Sequence, residues 1–243
     1  LDVLQAIQPY AAYAVASPGL VPGASWDFQA ALSQLAADPT VGGRQLAGDL
    51  ATAFINTHRQ LRGDEFVSMA AVDLARVPAL SAAVESLAAA LAADPALYGE
   101  IAGFARRGAP MYGAAALTDA RRIAAVDLSQ AAALFAEASP PGEAQTAATA
   151  VGVALGEALV VYEVGQGAPA GRGIALYWPD SAATLDPLYA GVSRLPSWAG
   201  YLPLFVGATG GNEARLTFDA GSRQTVHATQ PALLRAELFA HRV

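Results

Sequence analysis

Cysteine is absent from the 243 residues, which excludes disulfides, zinc–thiolate sites and a thiol nucleophile within this stretch. Histidine is nearly absent too, with only His58, His227 and His241. No HExxH, no Ser-x-Gly elbow and no phosphate loop accompanies them. The sequence GQGAPAGR at 165–172 offers only a Gly-x-Gly, placed between two strands rather than before a helix, so it does not read as a nucleotide site. Charge is sparse at 14% of residues, a low figure for a free-standing surface and one that suggests covered faces or a neighbouring segment. The net charge of −7 argues against a nucleic-acid partner, which needs basic residues concentrated on one face. The arginines are scattered and paired only at Arg106-Arg107 and Arg121-Arg122, each of which reads as a solvated helix face. Two long uncharged runs, Val3–Trp26 and Leu195–Asn212, are broken by Pro9, Pro18, Pro22, Pro196 and Pro203. Neither reads as a membrane span, and the first lacks the basic start of a signal peptide.

What is present is alanine. It inflates the 54% apolar content, favours helix and adds little hydrophobic area. The length suits one large domain, or a domain with a small addition, burying roughly 70–75% of its unfolded surface without staples. Leu1–Gln8 reads as the end of a helix that Pro9 stops, followed by a strand over Tyr10–Ala16 with the apolar run of a strand buried on both faces. Helical periodicity covers Trp26–Ala37, Gly43–Arg59, Val77–Ala92, Leu97–Arg107, Leu128–Ala138 and Glu143–Gly156. Strands are expected over Phe66–Val72, Ala158–Val164 and Gly173–Trp178, the last on a central strand with Ile174 and Leu176 facing away from Tyr177. After Gly207 the pattern alternates through Ala214–Phe218 and Thr225–Ala228, which reads as the start of a β-rich extension over 207–243.

The pentapeptide Ala-Ala-Val-Asp-Leu occurs twice, at 70–74 and 124–128. Each copy sets an aspartate where a strand ends and a helix begins. Asp73 and Asp127 are therefore expected as N-caps, each worth ~1 kcal/mol, rather than as a pair of catalytic carboxylates. His58, at the end of its predicted helix, reads as a favourable partner of the helix dipole.

Residues Leu1–Phe28, LDVLQAIQPYAAYAVASPGLVPGASWDF, resemble the segment that directly follows the catalytic Asp-x-Cys in the clostripain-like (C11) cysteine peptidases of caspase fold. Val15-Ala16-Ser17, Pro22-Gly23 and Trp26-Asp27-Phe28 fall in that family's order. Ala71-Val72-Asp73-Leu74 is similar to its strand–aspartate–helix junction, and Arg172-Gly173-Ile174-Ala175-Leu176-Tyr177-Trp178-Pro179 to its Arg-Gly-Leu-Ser-Ile-Tyr-Phe-Pro strand. The likeness runs from Leu1 to about Val206.

The resemblance implies a partial caspase-like α/β sandwich over 1–206, a mostly parallel sheet with helices on both sides. It also implies a departure: the family's His-Gly and Asp-x-Cys would both lie before Leu1, so the catalytic dyad is expected upstream and the chain reads as part of a larger peptidase. A peptide or protein substrate and that upstream segment are the implied partners, with no nucleic acid and no membrane. A secreted or cell-envelope location goes with the family; no organic cofactor is implied, and calcium is admitted. Family selectivity for arginine or lysine requires a carboxylate, and a guanidinium is best held by a bidentate charge pair beside an aromatic face. Asp27 next to Trp26 supplies both residue types, with Ser17 lining the groove at the strand end. Against this, Asp27 reads as a helix cap with Trp26 packed inward as its staple. The alternative for the whole chain is a non-catalytic binding or scaffolding domain that keeps the fold without the chemistry.

Overall fold

Aspartate and proline open the helices where the sequence places them. The computed structural model describes residues 1–19, 21, 26, 28–62, 67–112, 124–165 and 171–209. Helix α1 (Asp2–Ile7) runs into a 3-10 turn, Gln8–Tyr10, that carries Pro9, and strand β1 (Tyr13–Ala16) follows. Helices α2 (Phe28–Ala37) and α3 (Gly43–Arg62) lead to strand β2 (Ser68–Asp73). Asp73 then accepts from the Ala75 N–H at 3.0 Å, opening a 3-10 turn into α4 (Val77–Ala93). Helix α5 (Pro95–Gly108) starts on proline with Asp94 accepting from the Leu97 N–H at 3.0 Å. Short strands β3 (Met111–Tyr112) and β4 (Ala125–Asp127) precede α6 (Leu128–Ala138), whose cap is Asp127 accepting from the Gln130 N–H at 2.8 Å. Helix α7 (Glu143–Ala158), strands β5 (Leu159–Val164) and β6 (Ala175–Tyr177), and helices α8 (Tyr189–Val192) and α9 (Pro196–Thr209) complete the order. Both aspartates of the repeated pentapeptide are caps, as expected.

The mixed α/β class holds, but the strand directions differ from expectation. The described strands form two small sheets, ordered β1-β2-β5 and β3-β4-β6, and every described pairing is antiparallel. The mostly parallel sheet is thus corrected. The reason is a parity. One crossover helix returns the chain to the end it left and makes the next strand parallel. Here α2 and α3 both lie between β1 and β2, so the chain enters β2 from the opposite end.

Layering is clearest around β2, whose residues alternate between two cores. Met69 and Ala71 face α3, packing with Ala51, Phe54 and Ile55. Ala70 and Val72 face the larger core built on α4, α6, α7 and α9. Helices therefore cover both faces of this sheet. By contrast β1 lies at the sheet edge and only Ala14 on it is buried, so the strand is not covered on both faces as its apolar run suggests. Helix α9 is held at its start by Glu85 of α4, which accepts from the Ser197 and Trp198 N–H groups at 2.9 and 3.1 Å. The stretch Leu74–Ala93 is long and apolar enough to cross a membrane, yet half of it is buried inside the protein, as befits a core helix.

Two further expectations change. Arg106 is buried rather than solvated: its Nε donates to the Trp178 carbonyl at 2.7 Å and its guanidinium lies 3.8 Å from the Asp180 carboxylate. Burial pulls its pKa down, with Asp180 opposing. The long aliphatic stem lets it cross apolar surface to those partners. His58 lies buried within α3, which continues past the expected end at Arg59 to Arg62, with its ring 4.6 Å from that of Phe54. Arg121-Arg122 lie outside the described residues. So do 210–243, on which the expected β extension falls; Gly207 itself continues α9 to Thr209.

Strand β6 sits at an edge of its three-stranded sheet rather than at the centre, but its side chains divide as predicted. Ile174 and Leu176 are buried in the main core while Tyr177 is half-buried, its hydroxyl donating to the Thr184 carbonyl at 3.0 Å and accepting from the Asp186 N–H at 2.7 Å. Ile174→Ala is expected to cost ~2–5 kcal/mol in denaturant unfolding. A loss below about half a kcal/mol, the size of an ordinary surface change, would show that this segment does not anchor the core.

Candidate substrate-binding site

The exit of β1 is where the sequence places the substrate wall, and the strand register locates that exit in space. Ala16 pairs with Ala70, and Ser68 pairs with Val164 of β5, so Ser17 leaves the sheet at the end where β2 begins and β5 finishes. Helix α3 runs along the sheet toward that end. Its first turn meets the Tyr13 ring and sets Arg44 3.7 Å from Asp73, while its last turns bring Arg59 to donate to the Val164 carbonyl at 2.9 Å.

Ser17 is half-buried, and its Oγ accepts from the Gly19 N–H at 3.1 Å, closing the Ser-Pro-Gly turn. Trp26 sits over α3, 5.3 Å from the Phe54 ring, and stacks on Phe28 at 5.9 Å with planes 13° apart. It keeps 36% of its surface exposed and Phe28 keeps 64%, so these two rings form a ledge open to solvent above the buried Phe54. Its ring contacts are Phe28 and Phe54, and part of its aromatic face stays exposed, the kind of surface a cation can approach. Asp27 lies outside the described residues; α2 begins at Phe28, the next residue. Ser17 thus marks the end of the sheet, and Trp26 lies over Phe54 of α3.

Sequence reasoning missed one carboxylate there. Glu163 pairs with Met69 across the β2–β5 ladder and its Oε1 accepts from the Thr52 hydroxyl of α3 at 3.5 Å. The signal for it was its position, one residue before the end of an apolar strand.

A second missed cluster centres on Asp127, fully buried at the end of β4. Besides capping α6 through Oδ1, it accepts at Oδ2 from the Tyr112 hydroxyl at 2.5 Å and from the Arg172 N–H at 2.8 Å. Tyr112 in turn accepts from the Gly173 N–H at 3.2 Å. The carboxylate and phenol thereby clamp the chain as it enters β6. Glycine is required on both sides of the clamp: a Cβ at Gly171 would run into Tyr112 and Asp127, and Gly173 adopts φ 81°, where a Cβ would also run into the Tyr162 ring. Burial, reinforced by the charge of Asp127, pushes the Tyr112 hydroxyl far above the ordinary tyrosine value of 10.0. A tyrosine raised in the folded state ionises first in the unfolded chain, so stability should be full below pH 10 and fall above it. Melting temperatures from pH 8 to 11 should show this decline, with a shallower slope in Tyr112→Phe.

Among the described residues there is no group of three or more His, Asp or Glu side chains that could hold a metal ion, and no step below is routed through one.

Helices cover both faces of the β1-β2-β5 sheet, which makes this a layered α/β domain. The structure resembles that of a cysteine protease from B. fragilis, at 13% identity and a TM-score of 0.56 over 85% of this chain and 84% of that one. The sequence model of the clostripain family of C11 peptidases matches residues 1–189. This chain belongs to the clostripain family. No curated protein matches it in sequence. Membership relates the chain to cysteine peptidases and makes a peptide or protein its kind of substrate.

Proposed function

We propose that these residues form the sheet and substrate wall of a cysteine endopeptidase that cleaves after arginine or lysine, with the catalytic histidine and cysteine in the segment preceding Leu1. One observation carries the reading: the clostripain family matches from residue 1 onward, yet the matched chain holds no cysteine. In this reading the thiolate comes from other residues of the parent protein. There it attacks the carbonyl carbon of the basic residue, the histidine delivers a proton to the departing amine, and water hydrolyses the thioester. Ser17 and its turn border the groove, the Trp26 ledge takes the face of the guanidinium or the aliphatic stem, and Asp27 supplies the counter-charge. A secreted or cell-envelope location goes with this reading.

The experiment joins the 243 residues to their preceding coding segment and assays fluorogenic peptides with Arg, Lys or a neutral residue before the bond. The chain alone should give only buffer-level hydrolysis. The joined protein should cleave after Arg and Lys and lose that activity on alkylation. A joined protein without a thiol, or without turnover, would favour the scaffolding alternative. Cleavage indifferent to the basic residue would remove the specificity but keep the peptidase.

A further inference from the structure

Helix α1 is only six residues long and buries none of them fully; Leu4 and Ile7 pack half-buried against the main core, but so short a helix gains little from propagation. It is also pinned through its first residues. Asp2 Oδ1 accepts from the Ser193 hydroxyl and the Arg194 N–H, both at 2.8 Å, and Oδ2 accepts from the Tyr189 hydroxyl at 3.0 Å. All three donors lie on α8 or the turn after it. Tyr189 packs on Tyr177 of β6 with ring centroids 4.3 Å apart, and the main-chain nitrogen of Leu1 donates to the Ala175 carbonyl of the same strand at 2.7 Å. Burial, with Asp2 adding to it, raises the Tyr189 hydroxyl above its ordinary value and keeps it a donor. One carboxylate thus adds three long-range hydrogen bonds to the half-buried packing of Leu4 and Ile7 in holding this short helix.

We infer that Asp2 is a positioning residue for the nucleophile: by fixing the slide and rotation of α1 against α8 and β6, it fixes the helix that the catalytic cysteine opens. The inference rests on the proposed function, in which that cysteine lies just ahead of α1. A displacement of about 1 Å in a reacting group can cost on the order of 100-fold in rate, so a loosened α1 should be read in chemistry rather than in substrate binding.

The test uses the parent protein and three variants. Asp2→Ala should lower kcat by roughly 10- to 100-fold with KM little changed, and should slow alkylation of the catalytic thiol by a similar factor. Asp2→Asn should restore most of both, because every donor to Asp2 is neutral and the amide oxygen still accepts. Tyr189→Phe should fall between them. In the 243-residue chain, Asp2→Ala should also speed hydrogen exchange at Gln5 and Gln8, whose N–H groups bond to the Leu1 and Leu4 carbonyls. An active parent in which Asp2→Ala lowers only the melting temperature, with kcat and alkylation rate intact in the folded fraction, overturns the inference alone. Unchanged exchange at Gln5 and Gln8 overturns the anchoring on which it stands. A wild-type parent without thiol-dependent turnover defeats the functional reading first, and the positioning role with it.

Discussion

Asp27→Asn in the parent peptidase is expected to lower kcat/KM for substrates with arginine or lysine before the scissile bond by roughly 100-fold, with the melting temperature unchanged. The physical basis is the separation of charge from shape. Asparagine caps a helix about as well as aspartate, so α2 keeps its start, while the counter-charge that a buried guanidinium or ammonium needs is gone. A group that serves only as a cap gives the reverse pattern: little kinetic change with Asn, and a stability loss of ~1 kcal/mol with Ala. Glu163→Gln is the informative companion, because Glu163 puts a carboxylate at the end of the sheet where Ser17 leaves it. If the kinetic loss appears with Glu163→Gln and not with Asp27→Asn, the basic-residue pocket is built on β5 and Asp27 leaves the site.

Asp127→Ala should be the most damaging single change to the fold, at ~3–5 kcal/mol by denaturant unfolding. The side chain is fully buried and is the acceptor for the Gln130 and Arg172 amides and the Tyr112 hydroxyl. Removing it abolishes a cap worth ~1 kcal/mol and leaves two other donors buried, each costing ~1–3 kcal/mol. Asp127→Asn keeps the cap but turns an amide N–H toward the Arg172 N–H or the Tyr112 hydroxyl, so an intermediate loss is expected. Equal, small losses for Asn and Ala would mean that the clamp on the entry to β6 contributes little and that capping accounts for the whole role of Asp127.

The caps show how far the sequence alone reaches. Asp73 and Asp127 bond to N–H groups two and three residues ahead, so both partners are adjacent in the chain and the pattern is complete in five letters. The helices are legible for the same reason: each bond closes within four residues, and proline or aspartate marks the entry. Strand direction was partly legible, because two helices between β1 and β2 imply reversal, but the family likeness to a parallel sheet masked that parity.

Tertiary structure alone decided the rest. Nothing near Arg106 in the chain predicts that it will reach the Trp178 carbonyl and Asp180, and a pair of arginines on a helix looks solvated until its neighbour is known. Asp127 gains Arg172 as a partner 45 residues away, and Asp2 gains Tyr189, Ser193 and Arg194 from the far side of the sequence. Local hydrogen bonds are set by chain geometry and can be read from spacing. A buried carboxylate must find donors wherever the fold brings them, and which residues supply them is fixed only when the sheets and helices close around it.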